Sequence, residues 1–168
     1  MTISMYAASV PLFRQMLEAL AKVLDKGAAH AEARKIDPAV LLQSRLAPDM
    51  FPLARQVQTA SDLAKGGAAR LAGVEIPKFA DEEKTFPELA DRIARTLGFL
   101  NTIRPEQIDG SEDRDITLAM RAGEMHFKGE RYLLGFVIPN VVFHCTTAYL
   151  ILRHNGVELG KRDFIGAP

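Results

Sequence analysis

The stretch Pro139–Gly156, PNVVFHCTTAYLILRHNG, decides how the rest of the chain is read. Proline suits a first helical turn, Asn155-Gly156 is a good C-terminal stop, and Arg153 and His154 stand where the negative end of a helix dipole favours cations. The pattern predicts a helix opened by Pro139 and closed at Asn155-Gly156. Val142, Phe143, Cys145, Tyr149, Leu150 and Leu152 make it apolar around most of its circumference, so other elements must cover it. On a wheel of about 100° per residue, Asn140, Val141, Thr147, Ala148 and Ile151 all fall within about 60° of His144. Three polar side chains thus share a largely apolar face. A buried polar group left without a partner costs roughly 1–3 kcal/mol. Asn140, His144 and Thr147 are therefore the candidate pocket, and partnered core positions are the competing reading.

The elements that would cover this helix are also amphipathic. Val10, Phe13, Leu17, Leu20 and Leu24 form a 3,4-spaced stripe with a stop predicted at Lys26-Gly27. Asp37-Pro38 predicts a capped short connector helix ending before Pro48. Asp49 offers a cap for a second long helix, whose stripe runs through Met50, Leu53, Val57, Ala60, Ala64 and Leu71. Its alanines and glycines permit close approach of a neighbouring helix, while Gly66-Gly67 costs about 1 kcal/mol per glycine against alanine and is where fraying is expected. Thr85-Phe86-Pro87-Glu88 is a capping box opening a third helix, with Leu89, Ile93, Leu97, Leu100 and Ile103 as its stripe and Pro105 as its end. The period then switches from 3.6 to 2. Ile116, Leu118 and Met120, then Met125 and Phe127 after Ala122-Gly123-Glu124, predict a hairpin lying across the helices. Arg131–Val137 is open between extended chain and a helical turn, and Val157–Pro168 is a tail. These elements predict a mainly α fold: a four-helix bundle with a small β-hairpin in the crossover before the last helix.

Composition excludes several functions. Lys and Arg total 21, as do Asp and Glu, so no basic excess points to nucleic acid. With 48% hydrophobic and 25% charged residues, the chain has the composition of one soluble domain over residues 1–168. The N-terminus lacks the pattern of a secretory signal. Leu133–Leu152 is interrupted by Gly135, Pro139, Asn140, His144, Thr146 and Thr147, which argues against a membrane span. A cytoplasmic protein with no membrane partner is expected. Cys145 alone can form neither an intramolecular disulfide nor a thiolate zinc site. It lies about 100° from His144, a poor geometry for a Cys-His pair. Gly156–Arg162 fails as a phosphate loop on spacing, on Arg162 in place of Ser or Thr, and on following a helix. A one-helix metal site needs a second ligand four residues from His144, and position 148 is Ala. His154 is too far along the axis to share an ion with His144, and His30 and His126 read as surface residues.

Arg45–Leu53 (RLAPDMFPL), with Pro139–Tyr149 and Leu152–Gly156 (LRHNG), resembles an uncharacterised bacterial family within the DinB-like (YfiT-like) helical bundle superfamily. The resemblance runs over nearly the whole chain. It implies a four-helix bundle, a homodimer, and a relation to metalloenzymes that bind a divalent cation, zinc or nickel, through three histidines. Some branches are taken as transferases or hydrolases. His144 matches the first histidine of the last-helix pair, but Ala148 stands at the second position, and Asp49–Leu71 supplies no histidine. Asp49 is either an oxygen ligand in its place or a helix cap. Three functions follow as expectations: a small-molecule binder using the polar face of the last helix, a divalent-metal transferase or hydrolase, or a non-catalytic structural or interaction protein.

Overall fold

The computed structural model describes residues 3–120 and 123–166, without the side chain of Met120. Helix α1 spans Val10–Arg34. It runs through the stop predicted at Lys26-Gly27. Gly27 is buried where a Cβ would lie 3.1 Å from both Leu152 methyls and 3.2 Å from Phe86, so it permits close approach and breaks nothing. Ser9 precedes the helix without capping it; its hydroxyl donates to the Met5 carbonyl at 2.7 Å.

Short α2, Pro38–Gln43, is capped as expected, the Asp37 carboxylate accepting from the Ala39 amide. Asp49 caps nothing. Helix α3, Leu53–Ala72, begins four residues later behind Pro52, with the Leu53 amide tied to the Ser44 carbonyl at 2.9 Å. Nor does α3 fray at Gly66-Gly67. Both glycines are buried in its interior, and Gly67 seats Val137 so closely that a Cβ would come within 2.6 Å of it.

Helix α4, Phe86–Leu100, starts with the predicted capping box of Thr85 and Glu88. It ends at Asn101 rather than at Pro105, which instead begins the one-turn α5, Pro105–Ile108. Proline is as suited to open a helix as to end one, and Ile103 reaches the core from the linker between them. Strands β1, Asp115–Met120, and β2, Gly123–Lys128, pair antiparallel with Ile116 opposite Phe127 and Leu118 opposite Met125. Gly123 already belongs to β2, and Ala122 of the predicted turn lies outside the described residues.

Arg131–Val137 is helical. Helix α6, Gly129–Tyr132, leads into a π-helical turn, Leu133–Val137, and on into α7, Ile138–His154. Pro139 therefore does not open the last helix. It lacks an amide hydrogen, and its ring would press on the carbonyl four residues back; the wider π turn before it relieves both demands. The run Gly129–His154 has 26 residues and a window of mean hydropathy 1.5, long and apolar enough by those measures for a membrane span, against the expectation from its polar interruptions. In the fold, Val141, Cys145, Ala148, Ile151 and Leu152 are buried, with α1 and α3 as the neighbours. The segment after Gly156 is no loose tail: Val157 and Leu159 are buried, and α8, Lys161–Ile165, packs on α1.

The protein is thus mainly helical with one two-stranded antiparallel sheet, and short helices add to the four long ones expected. One core joins Phe13, Leu17 and Leu24 of α1 to Leu53, Val57 and Ala64 of α3, Leu89 and Ile93 of α4, and the buried face of α7. Beside it, Arg92 of α4 is 0% exposed. Its guanidinium meets Asp62 at 2.7 Å, Asp81 at 3.0 Å, Glu83 at 2.9 Å and the Ala80 carbonyl at 3.0 Å. Phe79 covers it, its ring also lying 4.9 Å from the Lys65 ammonium and 4.5 Å from the Arg95 guanidinium. This ion cluster pins the segment between α3 and α4 across both helices.

Candidate functional site

His144 points into the seam between α7 and α3 and is 9% exposed. Its Nδ1 lies 2.7 Å from Oε1 of Gln56, while Nε2 of the same amide donates to the Phe51 carbonyl at 3.0 Å. That second bond fixes the amide, so Oε1 faces the imidazole and Nδ1 must carry the hydrogen. Nε2 keeps its lone pair and makes no hydrogen bond among the described residues. Burial, and secondarily the Arg55 charge, lower the imidazole pKa below its usual 6.5, favouring the neutral ring. The exposed Phe143 packs edge-on against it at 5.2 Å.

The other two predicted pocket residues turn back on their own helix. Asn140 donates to the Phe136 carbonyl at 2.7 Å and Thr147 to the Phe143 carbonyl at 2.8 Å. Such bonds to the preceding turn satisfy the polar group locally. His144 is joined instead by Gln56, which sequence reasoning missed. Its signal was available: position 56 stands three after Leu53 and four before Ala60, on the buried stripe of α3.

These residues do not fit a divalent metal. Among the described residues His144 offers one free ring nitrogen, but Ala148 occupies the next turn, and no group of three His, Cys, Asp or Glu side chains is placed to hold an ion. His126 sits exposed on β2 against Thr117 at 3.1 Å, and His30 lines a surface cleft near Gly160. Cys145 is buried, which pushes its pKa up to about 12 and leaves an inert thiol.

A second feature lies one turn before Asn140. There α3, β1 and the π turn enclose a cleft of about 270 Å³ lined by Thr59, Asp62, Arg70, Leu118, Tyr132 and Phe136, among others. Tyr132 and Phe136 stack at 5.9 Å with 16° between their planes. Arg70 Nη1 donates to the Tyr132 hydroxyl at 3.2 Å, and among the described residues no carboxylate lies within ion-pair distance of Arg70. Burial raises the phenol pKa although the Arg70 charge opposes it, so the hydroxyl keeps its proton. Asp62 is neutralised from behind by Arg92 and Lys65. The sequence did not point to this cleft, because the stretch Arg131–Val137 that carries Tyr132 and Phe136 shows no apolar period of its own.

The model of the family described as Domain of unknown function (DUF1993) matches residues 5–165. The chain belongs to this family. A crystal structure of a DinB family member from Shewanella denitrificans is 43% identical to this DUF1993 protein, with a TM-score of 0.89 over 97% of this chain and 92% of that one. No curated protein matches the chain. The DinB-like resemblance carried by RLAPDMFPL and PNVVFHCTTAY therefore holds at the level of family and fold.

Proposed function

We propose that this DUF1993 protein is a cytosolic DinB-like four-helix bundle that binds a small molecule where α3 meets the last helical run. The observation that carries the reading is the cleft in which Arg70, without a carboxylate partner among the described residues, faces stacked Tyr132 and Phe136. At about 270 Å³ the cleft is just below the ~300–1,000 Å³ of drug-sized ligand sites, which suits a small ligand; its few convergent polar groups are typical of such sites, and π turns recur at functional positions. His144, Gln56 and Asn140 continue the same seam, with Asn140 tethering the π turn through Phe136. A metal-dependent transferase or hydrolase receives no support from the donor set.

The test is a fragment screen by ligand-detected NMR against wild type and Leu63→Trp, which would fill the cleft from its half-buried wall. Fragments seen on wild type should vanish on the folded variant. Hits that persist on Leu63→Trp would overturn the reading.

A homodimer is the second proposal. Phe143 and Leu150 are both exposed and stand seven residues apart, two turns on one face of α7. Sedimentation at micromolar concentration should give a dimer that Phe143→Asp with Leu150→Asp converts to monomer; a monomeric wild type would end this proposal.

A further inference from the structure

We infer that the Arg70 cleft recognises a carboxylate carried on a planar apolar body, an inference that rests on the ligand-binding reading above and names its chemical class. The guanidinium offers five N–H donors in a fixed fork, and among the described residues its one hydrogen bond is to the Tyr132 hydroxyl. A half-buried cation without a counter-charge is costly unless water or an anion completes it, and a carboxylate matches the fork in two parallel bonds. The Tyr132 hydroxyl accepts from Arg70, while its own hydrogen has no acceptor among the described residues. An oxygen seated beside Arg70 would take that hydrogen too.

Neighbouring acids do not forbid an anion. Asp62, Asp81 and Glu83 are engaged by Arg55, Lys65, Arg92 and Arg95, and no bond or ion pair links any of them to Arg70. The rest of the cleft selects the body of the ligand. Tyr132 and Phe136 give a stacked aromatic wall, and Leu118 faces it from β1.

The guanidinium is also positioned in advance by an absence. It lies over Gly66, where a Cβ would come within 2.7 Å of Arg70 Nη1. Because the obstructed atom is the end of a flexible side chain, Gly66→Ala would displace Arg70 without unpacking the helix. Alanine is the better helix former, so this variant should be no less stable than wild type. A role for Arg70 confined to stability predicts no ligand phenotype from it.

The experiment titrates the full chain with benzoate and with benzamide, a neutral probe of the same shape, following chemical shifts of the cleft residues. Benzoate should bind saturably at Arg70, Tyr132 and Phe136, and at least about tenfold more tightly than benzamide. Arg70→Gln should weaken benzoate by about 10- to 100-fold and leave benzamide unchanged, as expected for loss of a charge-assisted pair of bonds. Arg70→Lys should recover part of the affinity, and Gly66→Ala should weaken benzoate while matching wild type in Tm. Equal binding of the two probes, abolished by Leu63→Trp, would overturn the carboxylate assignment and leave the cleft as a ligand site. Binding of neither probe, with other fragments held in the cleft, would do the same. No ligand of any kind in the cleft would sink both readings.

Discussion

Arg92 and Arg70 are two half-hidden or hidden guanidiniums on adjacent helices, and their surroundings are opposite. Arg92 is closed off from solvent and meets three carboxylates and a carbonyl; Arg70 meets one hydroxyl. Burial of a charge is tolerated when every donor finds an acceptor, as nearly holds at Arg92, where Nε alone is left over. The contrast separates a cation that holds the fold from one left free to meet something else. It can be broken by experiment, starting with the largest effect.

Arg92→Met keeps most of the volume and removes the charge, leaving the Glu83 carboxylate without its main partner and Asp62 with Lys65 alone. Breaking a buried pair this way costs ~3–5 kcal/mol. For a chain of this size each kcal/mol moves Tm by roughly 2–4 °C, so a drop of roughly 6–20 °C is expected in a thermal scan. Arg70→Gln should cost less than about 1 kcal/mol in the same assay. Equal losses at the two positions would erase the distinction drawn between them.

Acid should expose the difference next. At Asp81, burial alone would raise the pKa, but hydrogen bonding and charge from Arg55, with help from Arg92, bring it below the usual 3.8. At Glu83 burial is likewise outweighed, by hydrogen bonds from Arg92, its own backbone and Gln58, and the pKa falls below 4.5. Depressed carboxylates stabilise the fold fully above their unfolded values, and that stability is lost as pH falls through the folded ones. Urea unfolding from pH 7 to pH 3 should therefore show wild type losing stability below about pH 4.5 more steeply than Arg92→Met. Arg70→Gln should follow the wild-type curve. A variant at position 92 with the full acid slope would mean the slope arises elsewhere.

Which of these features were legible beforehand follows from their range. The capping box at Thr85, the Asp37 cap, the existence of the hairpin and the stop at Gly156 depend on residues a few positions apart, and each was readable. Gly27 was misread as a stop because its reason, Leu152, lies far along the chain; the close approach expected at the small residues of α3 holds at Gly67, which seats Val137, while the fraying expected there does not occur. Pro139 was misread as a start because a π turn leaves no periodicity to see. The polar face of α7 was visible as a pattern, yet only tertiary contact could supply Gln56 for His144 or show Asn140 and Thr147 bonded to their own carbonyls. Arg92 flanks the apolar stripe of α4, three residues after Leu89, and the segment carrying Phe79, Ala80 and Glu83 folds over it.

The smallest expected effect concerns His144, which is neither a paired ion nor a free one. As a neutral ring donating to Gln56 it should add a slope of its own to stability. Burial first, and the Arg55 charge second, hold its folded pKa below 6.5, so its contribution is complete above that value and declines as pH falls below it. His144→Gln retains a donor for the Gln56 carbonyl and cannot titrate. Between pH 7.5 and pH 5 the variant should have a flatter unfolding free energy than wild type, by less than about 1 kcal/mol across the range. Benzoate binding at Arg70 should stay as it was, since among the described residues no hydrogen bond joins His144 or Gln56 to Arg70 or Tyr132. A change in that affinity would make His144 part of the cleft's machinery, and the separation between polar groups that hold the fold and the one left to meet a ligand would have to be redrawn to include α7.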